Sequence, residues 1–262
     1  MPLPQLTERT VARECEHHGP YQARQLDMPE GFDPVLMGCP TCASAADKAA
    51  TERRRHNEQR LRMQKLRGLT SAAAIPEKYS NVAVADFVTE HPGERVAKTI
   101  CETYVRTWAD QRVKGGSLVF TGVCGTGKTH LACGIGNAVM GEHLGTVMFG
   151  TVPQIVGLVR ETYRDGAKRS ERQVINDMME PDLLIVDEIG AHRGTEHELQ
   201  VLFEIINTRY QALKPMILIS NLNKEQLESF LGERIMDRFR ECGIVVPFNW
   251  PSYRARKQGA LL

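Results

Sequence analysis

What this sequence lacks narrows its reading before any motif is found. No stretch approaches the ~20 apolar residues that a membrane span needs. Met1–Thr10 has no apolar core of the kind a signal peptide carries. Net charge is almost absent: 33 Lys and Arg face 32 Asp and Glu, a formal +1. Bulk electrostatics therefore gives no argument for a polyanionic partner, and any such surface must come from local clustering. No internal repeat of the 20–50-residue kind is visible, which excludes solenoids and propellers. These absences predict a cytoplasmic protein without a membrane partner, in a compartment where disulfides are rare. Its seven cysteines then need another explanation. The 42% apolar and 25% charged residues are ordinary for a globular chain, and 262 residues can hold one full α/β domain plus a smaller module.

One stretch carries the most specific signal. Gly122, Val123, Cys124, Gly125, Thr126, Gly127, Lys128 and Thr129 fit G-x-x-x-x-G-K-[ST] at every fixed position. The apolar run Ser117–Thr121 before it predicts a buried strand, and the Leu-, Ala- and Ile-rich run from His130 to Met140 predicts a helix. Strand, glycine loop and helix are the context in which backbone N–H groups cradle phosphate oxygens. In that geometry Lys128 reaches the β- and γ-phosphates of ATP and the Thr129 hydroxyl ligates Mg²⁺. About sixty residues on, Asp182–Val186 reads as a strand buried on both faces and ends in Asp187-Glu188. Asp187 is expected in the Mg²⁺ shell, and Glu188 is expected to polarise the attacking water of an ATPase.

The cysteines near the N-terminus form a second pattern. Cys15-Glu16-His17-His18 and Cys39-Pro40-Thr41-Cys42 read as C-x₂-H and C-x₂-C, three thiolates and one imidazole for tetrahedral Zn²⁺. His18 restores the two-residue spacing, with His17 the alternative imidazole. The proline- and glycine-broken segment between the pairs is expected to depend on the metal for its folding. Residues 52–67 then hold Arg53, Arg54, Arg55, Arg60, Arg62, Lys65 and Arg67 against two acids, an exposed basic helix with no apolar stripe. A solvated linker and a phosphate- or partner-binding surface both fit it. Ile75-Pro76 marks the next boundary. The expected organisation is a zinc-binding module at residues 1–45, a basic helical linker at 46–74 and an ATPase domain at 75–262.

Within that last region, a helix between Gly93 and Val113 is expected to turn Val96, Ile100, Tyr104, Val105 and Trp108 inward. A strand at 145–150, helices at 152–164, 170–179 and 195–213, and a strand at Met216–Ser220 follow. Their alternation predicts an α/β fold, a parallel sheet sandwiched between helices.

The strand ending Ser220-Asn221, the stretch Leu231-Gly232-Glu233-Arg234-Ile235-Met236-Asp237-Arg238 and the stretch Phe248-Asn249-Trp250-Pro251-Ser252-Tyr253-Arg254 resemble DnaC-type helicase loaders, phage-related members included. These lie in the DnaA/DnaC/IstB branch of the AAA+ ATPases, and the resemblance runs from about residue 75 to the end. It implies that Asn221 is the sensor that orients water, that Arg238 is an arginine finger supplied to a neighbouring subunit, and that Arg254 touches ATP within its own chain. Arg234 competes for the finger. It further implies an ATP-regulated protein that self-associates through its ATP interface, binds single-stranded DNA and loads a hexameric replicative helicase. The alternative is an IstB-like ATPase acting with a transposase; a DnaA-like initiator is disfavoured, since a duplex-binding domain is not expected beyond Arg254. The cysteine/histidine module departs from the best-known bacterial loader.

Overall fold

A computed structural model describes residues 7–29, 31–191 and 195–259, with backbone alone at residue 49 and at 257–259. The first six and last three residues of the expected organisation thus lie outside the described residues. The chain divides into two compact units within one helix, between Gln64 and Lys65.

The first unit opens with a hairpin that the broken sequence pattern does not announce. Strands β1 (Thr7–Cys15) and β2 (Gly19–Asp27) pair antiparallel from Thr7↔Asp27 to Cys15↔Gly19, and β3 (Val35–Leu36) adds to β2. Gly19 makes the turn possible by adopting φ +71°, a left-handed conformation costly to other residues. Only Ala23 and Gln25 are buried along the two long strands, so the sheet has regular hydrogen bonding but almost no core. Helix α1 (Pro40–Ala72) begins three residues earlier than Ala43, where its composition changes, with proline at its first position. That places Cys42 in its first turn. From Thr51 to Lys65 every side chain is exposed.

The second unit runs α2 (Pro92–Arg106), α3 (Trp108–Lys114), β4 (Ser117–Gly122), α4 (Lys128–His143), β5 (Val147–Thr151) and α5 (Val152–Glu161). It continues α6 (Glu171–Met179), β6 (Leu183–Ile189), α7 (Glu196–Gln211), β7 (Met216–Ser220), α8 (Lys224–Leu231), α9 (Glu233–Cys242), β8 (Gly243–Phe248) and α10 (Tyr253–Gly259). The single helix expected between Gly93 and Val113 is interrupted at Thr107, which leaves the helical region at φ −99°, ψ 18°. Val96 is 59% exposed rather than inward; Ala97, Cys101 and Tyr104 hold the buried stripe. Helices α5, α6, α7 and α8 start on Thr151, Ser170, Thr195 and Asn223, whose side-chain oxygens accept from the backbone three residues on.

The five strands are all parallel, in the order β5-β6-β7-β4-β8. Alternate residues face opposite cores: Leu118, Phe120, Leu183 and Ile185 pack with α2, α3 and α4, and Val119, Leu184 and Val186 with α5, α6, α7 and α9. The sheet is thereby covered on both faces, as the strand–helix alternation predicts. Strand β8 has no counterpart in the sequence reading. It contains Pro247, which a central strand would not tolerate; β8 is an edge strand that pairs only with β4.

Candidate functional sites

The sheet order decides the geometry of the first site. The loop after β4 and the acids at the end of β6 are not on adjacent strands, because β7 lies between them. The tip of β7 therefore lies between the glycine loop and the acidic pair. A cleft of about 680 Å³ opens there, lined by residues 124–130 of the loop, by Asp187 and Glu188, and by Asn221 and Arg254. The fold thus brings together residues spread over 130 positions at the carboxyl ends of the strands, where ligands bind in open α/β sheets.

The loop is shaped for close approach. Gly125 and Gly127 adopt φ +81° and +96°. A Cβ on Gly125 would fall 2.1 Å from Ser252 Oγ, and one on Gly127 2.4 Å from the Phe87 ring. The Lys128 ammonium donates to the carbonyls of Gly122 (2.7 Å) and Val123 (2.8 Å), so it curls back over the loop. Burial pulls Lys128 below the usual lysine range; Cys124 and Asp187 oppose that pull and the Arg254 cation adds to it. Two cations facing one glycine-lined concavity fit an anionic ligand, and α4 adds its N-terminal end. Thr129 Oγ1 donates to Asp187 Oδ2 at 2.7 Å, which places two hard oxygen donors side by side as a Mg²⁺ site requires.

Glu188 is one of four non-glycine residues with left-handed backbone among those described, at φ +63°. Such a conformation costs about 1–2 kcal/mol, and at functional sites it serves to aim a side chain. Its N–H donates to Asp187 Oδ1 at 2.7 Å, which ties the two acids together. Ser220 beside Asn221 is buried and its hydroxyl donates to the Ile189 carbonyl (2.7 Å), locking the end of β7 to β6. Arg254 is exposed and makes no hydrogen bond or ion pair among the described residues. Arg238 lies away from this cleft, on α9, with its guanidinium over the rings of Phe203 (5.6 Å) and Tyr210 (5.4 Å). Its Nη1 is buried and without a partner. Arg234 is exposed on the same helix.

Four residues that the motif reading missed also reach the cleft or its loop. Tyr253 N–H donates to the Gly125 carbonyl (2.9 Å) and Trp250 Nε1 to that of Thr126 (3.1 Å). Glu94 and Arg256 line the cleft and pair with each other. The partners of Trp250, Tyr253 and Arg256 lie 124–166 positions away, so no local pattern could show these contacts.

The second site is the cluster at the turn of the β1–β2 hairpin and the start of α1. The ligand atoms of Cys15, His18, Cys39 and Cys42 all lie within 4.8 Å of one another. Cys15 Sγ is 3.6 Å from Cys42 Sγ, and His18 Nδ1 lies 3.7, 3.7 and 3.3 Å from the sulfurs of Cys15, Cys39 and Cys42. A tetrahedron with Zn–S bonds of about 2.3 Å has edges of about 3.8 Å between sulfurs, so the set fits that ion. The imidazole in the cluster is that of His18; His17 stands beside it with its ring 6.4 Å away. The His17 backbone and the His18 ring lower the Cys15 thiol to about 6, and the Cys15 sulfur pushes Cys42 up to about 11. Thiols crowded this way ionise together only around a cation.

Residues 45–260 match the profile of the IstB-like ATP binding proteins. The chain belongs to that family. Within it, the chain is 32% identical over 203 residues to the replicative helicase loader DnaC of Escherichia coli strain K12, covering 77% of this chain and 81% of that one. The fold resembles a crystal structure of the DnaC helicase loader at a TM-score of 0.58 and 21% identity, over 65% of this chain and 98% of the other. It also resembles the replication initiator DnaA bound to AMPPCP and single-stranded DNA, at a TM-score of 0.56 and 24% identity, over 68% of this chain and 52% of the other. The second unit is thus the AAA+ fold of an ATP-binding family, and among the described residues no helix is long and apolar enough to cross a membrane.

Proposed function

We propose that this protein is a cytoplasmic AAA+ ATPase that binds single-stranded DNA and loads a hexameric replicative helicase. The observation that carries the reading is the shared extent with DnaC, four fifths of that loader, combined with a cleft whose groups suit ATP. In this reading residues 122–129 hold the phosphates and Thr129 and Asp187 hold Mg²⁺, which would neutralise charge on the phosphates when bound. Glu188 accepts a proton from the attacking water, and Asn221 orients that water from the tip of β7. Arg254 touches ATP within its own chain, and Arg238 acts on the ATP of a neighbouring subunit, with exposed Arg234 the competing finger. Self-association through the ATP interface then couples hydrolysis to release from DNA and helicase. Cys15, His18, Cys39 and Cys42 hold one Zn²⁺, whose binding would supply the stability that a hairpin with two buried residues lacks. Residues 1–45 form this zinc module, 46–74 a basic helical linker and 75–262 the ATPase.

One observation favours a second reading: the matching family profile is that of IstB-like proteins, which points to an ATPase acting with a transposase. Affinity capture with the full chain in ATP separates the two. Enrichment of a hexameric helicase, and stimulation of its unwinding on protein-coated single strands, supports the loader. Capture of a transposase with no helicase overturns it.

A further inference from the structure

Helix α10 is short, and its residues from Tyr253 to Ala255 are exposed. Its first residue is tied to the phosphate loop through the Tyr253 N–H and Gly125 carbonyl, and the preceding Trp250 ring nitrogen donates to Thr126. One further fastening fixes its direction. Arg256 donates through Nη1 to Glu90 Oε2 at 2.7 Å, and through Nη2 to the Glu94 carboxylate at the start of α2. That carboxylate cannot swing away. Its side chain is 1% exposed, and its other oxygen accepts the N–H groups of Glu90 (2.6 Å) and His91 (2.7 Å). Both arginines of α10 line the cleft, but their partners differ: Arg256 is committed to carboxylates, and Arg254, two residues before it, makes no hydrogen bond or ion pair among the described residues. Residues two apart stand about 200° around a helix. Fixing the helix through Arg256 therefore fixes the direction in which the Arg254 side chain leaves it.

We infer that Arg256 is a positioning residue for the nucleotide site: its ion pair with Glu94 clamps α10 to α2 and holds Arg254 toward the bound phosphates. The inference rests on the reading that Arg254 touches ATP. It makes Glu94, a carboxylate at the start of α2, part of the nucleotide response, and it links α2 to the glycine loop.

A double-mutant cycle tests it, with ATP·Mg²⁺ affinity of the full chain measured by titration calorimetry. Arg254→Ala is expected to weaken ATP about tenfold, the scale of one charge-assisted hydrogen bond. Arg256→Ala should weaken it three- to tenfold, and Arg256→Lys should recover part of that loss. In the Arg254→Ala background, Arg256→Ala should cost less than about twofold more, because its effect runs through Arg254. Glu94→Gln, which keeps an acceptor for the α2 backbone but removes the charge, should behave as Arg256→Ala. Nucleotide-free protein gives a second readout: amide exchange of residues 253–256 should quicken in both variants, with β4 unchanged. Losses that multiply in the double variant would make Arg256 a direct ligand and overturn the inference. So would full ATP affinity in Arg256→Ala when Arg254→Ala is weakened. Full affinity in Arg254→Ala would instead remove the sensor reading, and this inference with it.

Discussion

Gly127→Ala probes the most exact requirement of the phosphate loop. Gly127 sits at φ +96°, ψ 14°, immediately before α4. A left-handed alanine costs about 1–2 kcal/mol. The added methyl would also lie 2.4 Å from Phe87 Cε2. Phe87 is only 9% exposed and belongs to the core that packs on α4, so its ring cannot turn aside freely. Such overpacking costs about 1–3 kcal/mol. The two effects together come to about 2–5 kcal/mol, met by lost stability, by a displaced loop, or by both. At the ~2–4 °C per kcal/mol of a domain this size, the midpoint of thermal unfolding should fall by roughly 4–20 °C. Any part absorbed by moving the loop should appear as weaker ATP binding, since the loop N–H groups and Lys128 move with it. Thermal unfolding and ATP titration of the same preparations read both. Trimming the ring in Phe87→Ala/Gly127→Ala should relieve the steric part and leave the backbone part, so the two substitutions should be strongly non-additive. A Gly127→Ala protein that keeps both its midpoint within about 2 °C and its ATP affinity within about twofold would mean that neither the positive φ nor the Phe87 contact constrains this position.

Other outcomes follow from the same geometry. Lys128→Ala should abolish ATP binding if the ammonium that now caps two loop carbonyls turns to the β/γ-phosphates, as the proposed reading requires; affinity kept within about twofold, or ~0.4 kcal/mol, would sink that role. Elemental analysis should find one zinc per chain, lost together with the folded N-terminal unit on strong chelation. His18→Ala should release the metal and His17→Ala should retain it, and the reverse pattern would move the ligand. Glu188→Gln should bind ATP without turnover, and Arg238→Ala should bind ATP normally while hydrolysing on the order of 10³-fold more slowly. Mixing those two inactive proteins should recover part of the activity if the finger acts between subunits. No recovery despite demonstrated co-assembly would pass the finger to Arg234 or leave Arg238 as packing for Phe203 and Tyr210.

How much of this protein could be read from its sequence depends on the reach of each feature along the chain. The strand–glycine loop–helix arrangement was legible because its requirement is local: glycines, a lysine and a threonine within eight positions, between a strand and a helix. The acids at the end of β6 were legible because the doubly buried part of that strand is a continuous apolar run. The three clustered cysteines were legible from spacing, since two sulfurs separated by two residues can face one ion wherever the pair lies, whereas spacing left His17 and His18 both open and the fold brings His18 to the sulfurs. The hairpin that carries Cys15 and His18 was not, because strands with two buried residues leave no apolar alternation to read. Strand β8 was hidden by Pro247, which is compatible with a strand only at a sheet edge, and edge position is a property of the whole sheet. The break of the expected helix at Thr107 and the outward turn of Val96 were settled by which face met the sheet.

The division of labour between Arg254 and Arg256 shows the limit most plainly. In sequence they are two arginines in one short segment, chemically equivalent. What separates them is a pair of carboxylates about 160 positions earlier, at Glu90 and Glu94, which the fold brings to one arginine and not the other. Residue types at short spacing set which groups have the capacity to bind phosphate, ligate a metal or activate water. Which of them converge, which are held by partners and which are left for a ligand followed from strand order and helix packing, because contacts between distant segments have no local signature.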